Sequence, residues 1–119
     1  VNIALLIING DTVNIANDRT SIYRGSTNLF IRLKNPILPG SQSTLIVNWS
    51  YNIPRFVKLR MGNYGNGEFF VAYWYPQIAV YDDYHGWADA PYTGTQEFYH
   101  DFADYDVTIT MPKGTDPKM

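Results

Sequence analysis

The sequence predicts an all-β domain, an antiparallel sandwich or saddle-like sheet with little helix. Three observations carry that expectation. Apolar and polar residues alternate at period 2 along several stretches, helical periodicity is nearly absent, and Asn-Gly, Asn-Pro and Pro-Gly pairs punctuate the alternating runs. With 119 residues, 45% of them hydrophobic, the chain has the size and apolar content of one domain with an ordinary core. Residues 1–112 read as a single β domain and residues 113–119 as a loose C-terminal tail.

The elements follow in order. Val1, Ile3, Leu5 and Ile7 are spaced to share one face of a first strand, and Asn9-Gly10 tolerates the positive φ angles of a tight hairpin turn. A short return strand is expected over residues 12–15. Leu29, Ile31 and Leu33 alternate with Phe30, Arg32 and Lys34 in a half-buried strand that stops at Asn35-Pro36 and the Pro39-Gly40 turn. Leu45, Val47, Trp49 and Tyr51 alternate in the next strand, so residues 27–34 and 43–51 are expected to pair as a hairpin. Residues 56–60 are a further candidate strand, 62–67 a glycine-rich loop and 68–73 a buried strand ended by Pro76. Residues 82–101 mix Gly, Pro, Asp and aromatics without a period, an ordered excursion pinned by its own rings, with room for one helical turn near 97–102. Tyr105, Val107, Ile109 and Met111 alternate with polar partners in a last strand, which Pro112 breaks. Strands so close to both ends suggest a piece of a larger protein, whose open sheet edges would recruit a second copy of the chain as a homodimer.

Charge divides the chain. Arg19, Arg24, Arg32, Lys34, Arg55, Lys58 and Arg60 face only Asp11 and Asp18 in the first sixty residues. Residues 61–112 hold no Lys or Arg but Glu68, Asp82, Asp83, Asp89, Glu97, Asp101, Asp104 and Asp106, in the region where the aromatics crowd. An acidic, aromatic surface repels phosphates, which argues against nucleic acid as a partner. No apolar run reaches the roughly 18 residues of a membrane span, so no membrane partner is expected.

Catalytic chemistry is sparsely provided. With no cysteine, thiol nucleophiles, disulfides and cysteine-held metals are excluded. The two histidines, His85 and His100, are fifteen apart and lack the i, i+4 spacing of zinc-peptidase helices. They read as loop residues, with His85 stacking on a neighbour. Asp82-Asp83 with Asp89 or Asp101 match neither a calcium loop nor a specific carboxylate pair, and they read as turn-capping residues. Gly62, Gly65 and Gly67 lack the Lys-Ser/Thr and helix of a phosphate cradle. The sequence therefore offers no catalytic residue and no metal site. Phe69, Phe70, Val71, Tyr105, Val107 and Ile109 read as core, whereas Trp74, Tyr75, Tyr81, Trp87 and Tyr92 sit in loop context and are candidates for a surface that holds sugar or protein. Asn48-Trp49-Ser50 has the form of a glycosylation acceptor but falls within an expected strand.

Longer stretches carry a family likeness. The segment Tyr73-Trp74-Tyr75-Pro76-Gln77-Ile78-Ala79-Val80-Tyr81-Asp82-Asp83, then Gly86-Trp87, Tyr92-Thr93-Gly94, Glu97-Phe98-Tyr99 and Asp104-Tyr105-Asp106-Val107-Thr108-Ile109-Thr110-Met111-Pro112, resembles the N-terminal all-β domain of bacterial aminopeptidase N-like zinc metallopeptidases. The run over residues 29–51 is similar to that domain's preceding hairpin. The likeness spans roughly residues 27–112. It implies a non-catalytic domain that packs on a catalytic domain of the same parent chain and shapes the entrance of the peptide cleft. The family's His-Glu-x-x-His and Gly-Ala-Met-Glu-Asn motifs are absent here, so zinc is expected only in that other domain. By the same likeness Gln77 would help hold the free N-terminus of a peptide substrate, although Ile78-Ala79-Val80 departs from the family's flanking pattern. Trp74, Tyr75, Tyr81, Asp82, Asp83 and Trp87 would then lie at or near an interface. A periplasmic or secreted location also follows from the likeness alone. The rival reading is an autonomous β-sandwich module that binds glycan or protein through exposed Trp and Tyr.

Overall fold

The computed structural model describes residues 1–55, 60–91, 94 and 99–113. Nine short strands run through them, β1 (Asn2–Ile8), β2 (Asp11–Thr12), β3 (Ile22–Arg24), β4 (Leu29–Ile31), β5 (Leu45–Ser50), β6 (Met61–Gly65), β7 (Glu68–Val71), β8 (Tyr81–Asp82) and β9 (Gly86–Trp87). All pairings are antiparallel, and no helix occurs among the described residues, so the chain is all-β. The strands form one three-stranded sheet, ordered β2-β1-β5, and three separate hairpins, β3-β4, β6-β7 and β8-β9.

Asn9 and Gly10 join β1 to β2 with φ angles of 52° and 88°, the positive pair a two-residue hairpin turn requires. Asn9 also anchors the far strand. Its backbone N–H donates to the Thr44 carbonyl at 2.9 Å, and its side-chain Oδ1 accepts from the Thr44 N–H at 2.8 Å and the Ser43 hydroxyl at 3.0 Å. That clamp sets the register in which β5 runs back along β1.

The register differs from simple alternation. Between Ile3 and Leu5 the pairing slips by one residue at Ala4, so Ile3 opposes Trp49, Leu6 opposes Val47 and Ile8 opposes Leu45. Directly opposed residues share a face, so the apolar face is Ile3, Leu6 and Ile8 rather than the odd-numbered set. Leu6, at 3% exposure, is the one buried large hydrophobic residue among those described. Its burial contributes roughly 2 kcal/mol.

Three other expectations are corrected. Residues 27–34 and 43–51 do not pair with each other. β4 pairs with β3 across residues 25–28, and β5 pairs with β1, because the four-residue closure orders far less chain than residues 32–44, which carry Pro36 and Pro39. The glycine-rich stretch is not a loop. Met61–Gly65 is a strand that turns at Asn66 and Gly67, with φ 53° and 80°, into Glu68–Val71. The expected last strand does not form: residues 104–111 alternate but pair with no strand among the described residues, and an unpaired alternating segment leaves its backbone groups to water. The β2 return covers only Asp11–Thr12. The Leu29, Ile31, Leu33 alternation does hold, half-buried against exposed Phe30, Arg32 and Lys34. The Pro39-Gly40 turn closes with Gly40 at φ 72° and Ser41 donating its N–H to the Leu38 carbonyl at 3.0 Å. Residues 56–59 of the candidate strand at 56–60, Tyr92, residues 97–98 of the expected helical turn and the tail beyond 113 lie outside the described residues, while residues 99–102 form no helical turn.

The surface is large for the mass. A compact 13.6 kDa monomer exposes roughly 6,600 Å², whereas this chain exposes 10878 Å². Its radius of gyration is 16.9 Å, against about 13.5 Å for a compact domain of this length. The four sheets are separate units, with no strand of one sheet bringing its Cα atoms within 8 Å of a strand of another. Phe69 and Phe70, expected in the core, are both about half exposed, as are Tyr105, Val107 and Ile109. The hairpins are formed, but the described residues cover their apolar sides only in part.

Candidate functional site

Two aromatic groups organise the acidic half. The first starts on β5. The Trp49 indole N–H donates to the Trp74 carbonyl at 3.0 Å, and the two indoles stack with centroids 6.2 Å apart. Trp74 meets Tyr75 edge-on at 5.1 Å, and Tyr75 meets Tyr105 edge-on at 5.9 Å. The Tyr75 and Tyr105 hydroxyls share a 3.0 Å hydrogen bond, which holds Tyr105 above the usual phenol range. The result is a four-ring ladder joining segments that are 25 and 30 residues apart in sequence.

Backbone geometry sets that ladder. Tyr73 has φ 52°, a left-handed conformation that costs a β-substituted residue about 1 kcal/mol or more. It turns the chain out of β7 and presents Trp74 and Tyr75 toward β5 and residue 105. The Tyr73 ring stacks with His100 at 6.1 Å, and the Arg60 guanidinium lies 5.7 Å from the same ring centroid. A cation over a tyrosine face is favourable by roughly 0.5–1 kcal/mol at an exposed site.

The second group is the β8-β9 hairpin. Tyr81 and Trp87 oppose each other in register, and their rings meet edge-on at 5.0 Å while remaining 66% and 54% exposed. Asp82 builds the turn between them. Its Oδ1 accepts the backbone N–H groups of His85 at 2.6 Å and Tyr84 at 3.0 Å. The His85 N–H, and after it the Tyr84 N–H, hold the Asp82 carboxyl below the usual carboxylate range. His85 packs edge-on against Tyr84 at 4.5 Å rather than stacking on it, with its Nδ1 3.8 Å from Asp82. Asp82 therefore acts as a turn-capping residue, as the sequence suggests. A hydrogen bond of 2.6 Å from the Asn28 side-chain amide to the Asp89 carbonyl ties this hairpin to the loop between β3 and β4.

The residues singled out from sequence thus fall into two places. Trp74 and Tyr75 belong to the ladder, while Tyr81, Asp82, Asp83 and Trp87 belong to the hairpin. Gln77 is exposed on the strandless stretch 72–80 that runs between them. Trp49 and Tyr105 were expected in strands, and alternation marks such residues as facing a sheet without saying which ring they meet. Among the described residues no three His, Asp or Glu side chains converge as a metal-holding group. No known protein family, curated protein or solved structure matches the chain.

Exposed rings with part of their rims hydrogen-bonded can bury much flat area against a second surface without stranding polar groups. Carboxylates alongside them favour a basic or ammonium-bearing partner. Both features suit recognition of a partner surface.

Proposed function

We propose that this chain is the non-catalytic β domain, or part of it, of a larger aminopeptidase N-like zinc metallopeptidase. In this reading it packs against the catalytic domain and shapes the mouth of the peptide cleft. One observation carries the proposal: along the region that resembles the family, roughly residues 27–112, many large apolar side chains stand exposed, among them Leu38, Phe69, Trp74, Ile78, Trp87, Val107 and Ile109. A layer that rests on a neighbour has this character, because its contact face is apolar until the neighbour covers it. Zinc and the bond-breaking groups then belong to the neighbour. The sandwich or saddle arrangement of the sheets is part of the same proposal.

Gln77 would stand at the cleft mouth, its amide oxygen accepting from a substrate's α-ammonium group. The test uses the full-length native protein and aminoacyl p-nitroanilides. Gln77→Ala is expected to raise KM about tenfold or more, an effect of about 1.5–3 kcal/mol for one lost hydrogen bond to a charged group. Unchanged kinetics in an active enzyme remove Gln77 from the site, and a native protein without hydrolytic activity removes the peptidase reading.

The exposed Tyr81–Trp87 pair favours a second reading, an autonomous module that holds glycan or protein on that hairpin. Saturable quenching of tryptophan fluorescence by oligosaccharides, abolished by Trp87→Ala, would support it over the first.

A further inference from the structure

The β5 strand ends the three-stranded sheet, with β1 on one side and, among the described residues, no strand on the other. The direction of its backbone groups can be read from its start. Thr44 turns both its N–H and its carbonyl toward Asn9, hence toward β1. Along an antiparallel strand these directions alternate, so Ile46, Asn48 and Ser50 also face β1, while Leu45, Val47 and Trp49 aim their N–H and C=O groups out of the open edge. The strand itself, Leu-Ile-Val-Asn-Trp-Ser, holds no charged residue and no proline, and its pairing with β1 slips at Ala4 of β1 rather than within β5. Natural sheets protect free edges by those devices, and β5 has none of them.

We infer that the β5 edge is an interface between two copies of this chain, paired antiparallel about a two-fold axis at Val47. That register sets Val47 opposite Val47 of the second copy and Leu45 opposite its Trp49. All of these residues direct backbone groups outward, so both partners of each pair can exchange N–H···O=C bonds. It also keeps the faces in phase. Leu45, Val47 and Trp49 lie on the same side as Ile3, Leu6 and Ile8, and a perpendicular two-fold axis continues that side into the same residues of the second copy. The product is a six-stranded sheet, β2-β1-β5 joined to its copy, with one uninterrupted apolar face. The occupant is a second copy because the strand carries no charge, so two copies meet without like-charge repulsion, and because Leu45 and Ile46 stand exposed beside the edge. The inference stands independently of the peptidase reading.

The natural absence of cysteine makes the test direct. Val47→Cys places two thiols opposite each other at the axis, at the Cα spacing of about 5.5 Å that suits both a hydrogen-bonded pair and a disulfide. Mild oxidation of the 119-residue chain is expected to give about tenfold more covalent dimer from Val47→Cys than from Ile46→Cys, which faces the other side of the sheet, or Tyr23→Cys on another hairpin. Sedimentation of the unsubstituted chain should show a reversible dimer. Equal cross-linking of all three variants, or a monomer at every concentration, overturns the inference.

Discussion

Trp49 is the residue on which the two halves of the chain meet. Its indole N–H reaches the Trp74 carbonyl, and its ring stacks on Trp74, so it couples the β1-β5 sheet to the turn that Tyr73 forces. Trp49→Phe keeps most of the ring area and removes only the hydrogen bond. Denaturant unfolding should show a loss of about 1 kcal/mol. Asn9 has a comparable role at the other end of β5, since it supplies a positive-φ turn position and three hydrogen bonds to residues 43 and 44. Asn9→Ala should cost about 1–2 kcal/mol in the same measurement. The sequence shows Asn9 plainly, because an Asn-Gly pair between apolar runs has one local meaning. It hides the role of Trp49, because a strand tryptophan's partner is fixed by which sheet edge meets which turn. Trp74, Tyr81 and Trp87 are legible as surface residues through the Pro, Asp and Gly around them, while the ladder that Trp74 joins is not.

At the scale of elements, hairpins with two-residue turns are local and therefore readable. The Asn66-Gly67 turn carries the same signal as Asn9-Gly10, and the glycines around it mask the strands on either side. Gly67 sits at φ 80° with open space around it, so Gly67→Ala should cost about 1 kcal/mol through backbone strain alone. Pairings that span more chain are not readable in the same way: residues 27–34 and 43–51 have complementary alternation, and the shorter closures to β3 and the Asn9 clamp decide the outcome. The β8-β9 hairpin depends on ionised Asp82. Because the folded carboxyl lies below the ordinary aspartate value of about 3.9, its stabilisation is complete above that value and is lost as pH falls through the lowered one. The near-UV dichroism of the Tyr81–Trp87 pair should fade on acidification in that window. Asp82→Ala should weaken the same signal at neutral pH, since two backbone N–H groups then lose their acceptor.

For the whole molecule, alternation identifies the all-β class, and the surface shows how that class is used. Alternation promises a buried side for each strand, yet Phe69, Phe70, Tyr105, Val107 and Ile109 remain exposed because their covering layer is not among the described strands. A sequence pattern records that a side chain prefers burial but not which polypeptide supplies the cover. In the proposed reading, the catalytic domain of a zinc peptidase supplies much of it, with the acidic, aromatic half toward the cleft. The most direct measurement is the intact mass and peptide map of the native gene product. The account predicts a chain that continues past Met119 into a segment bearing His-Glu-x-x-His and a downstream Glu. A native chain that ends near Met119 would contradict it and leave the aromatic hairpin as a binding module in its own right.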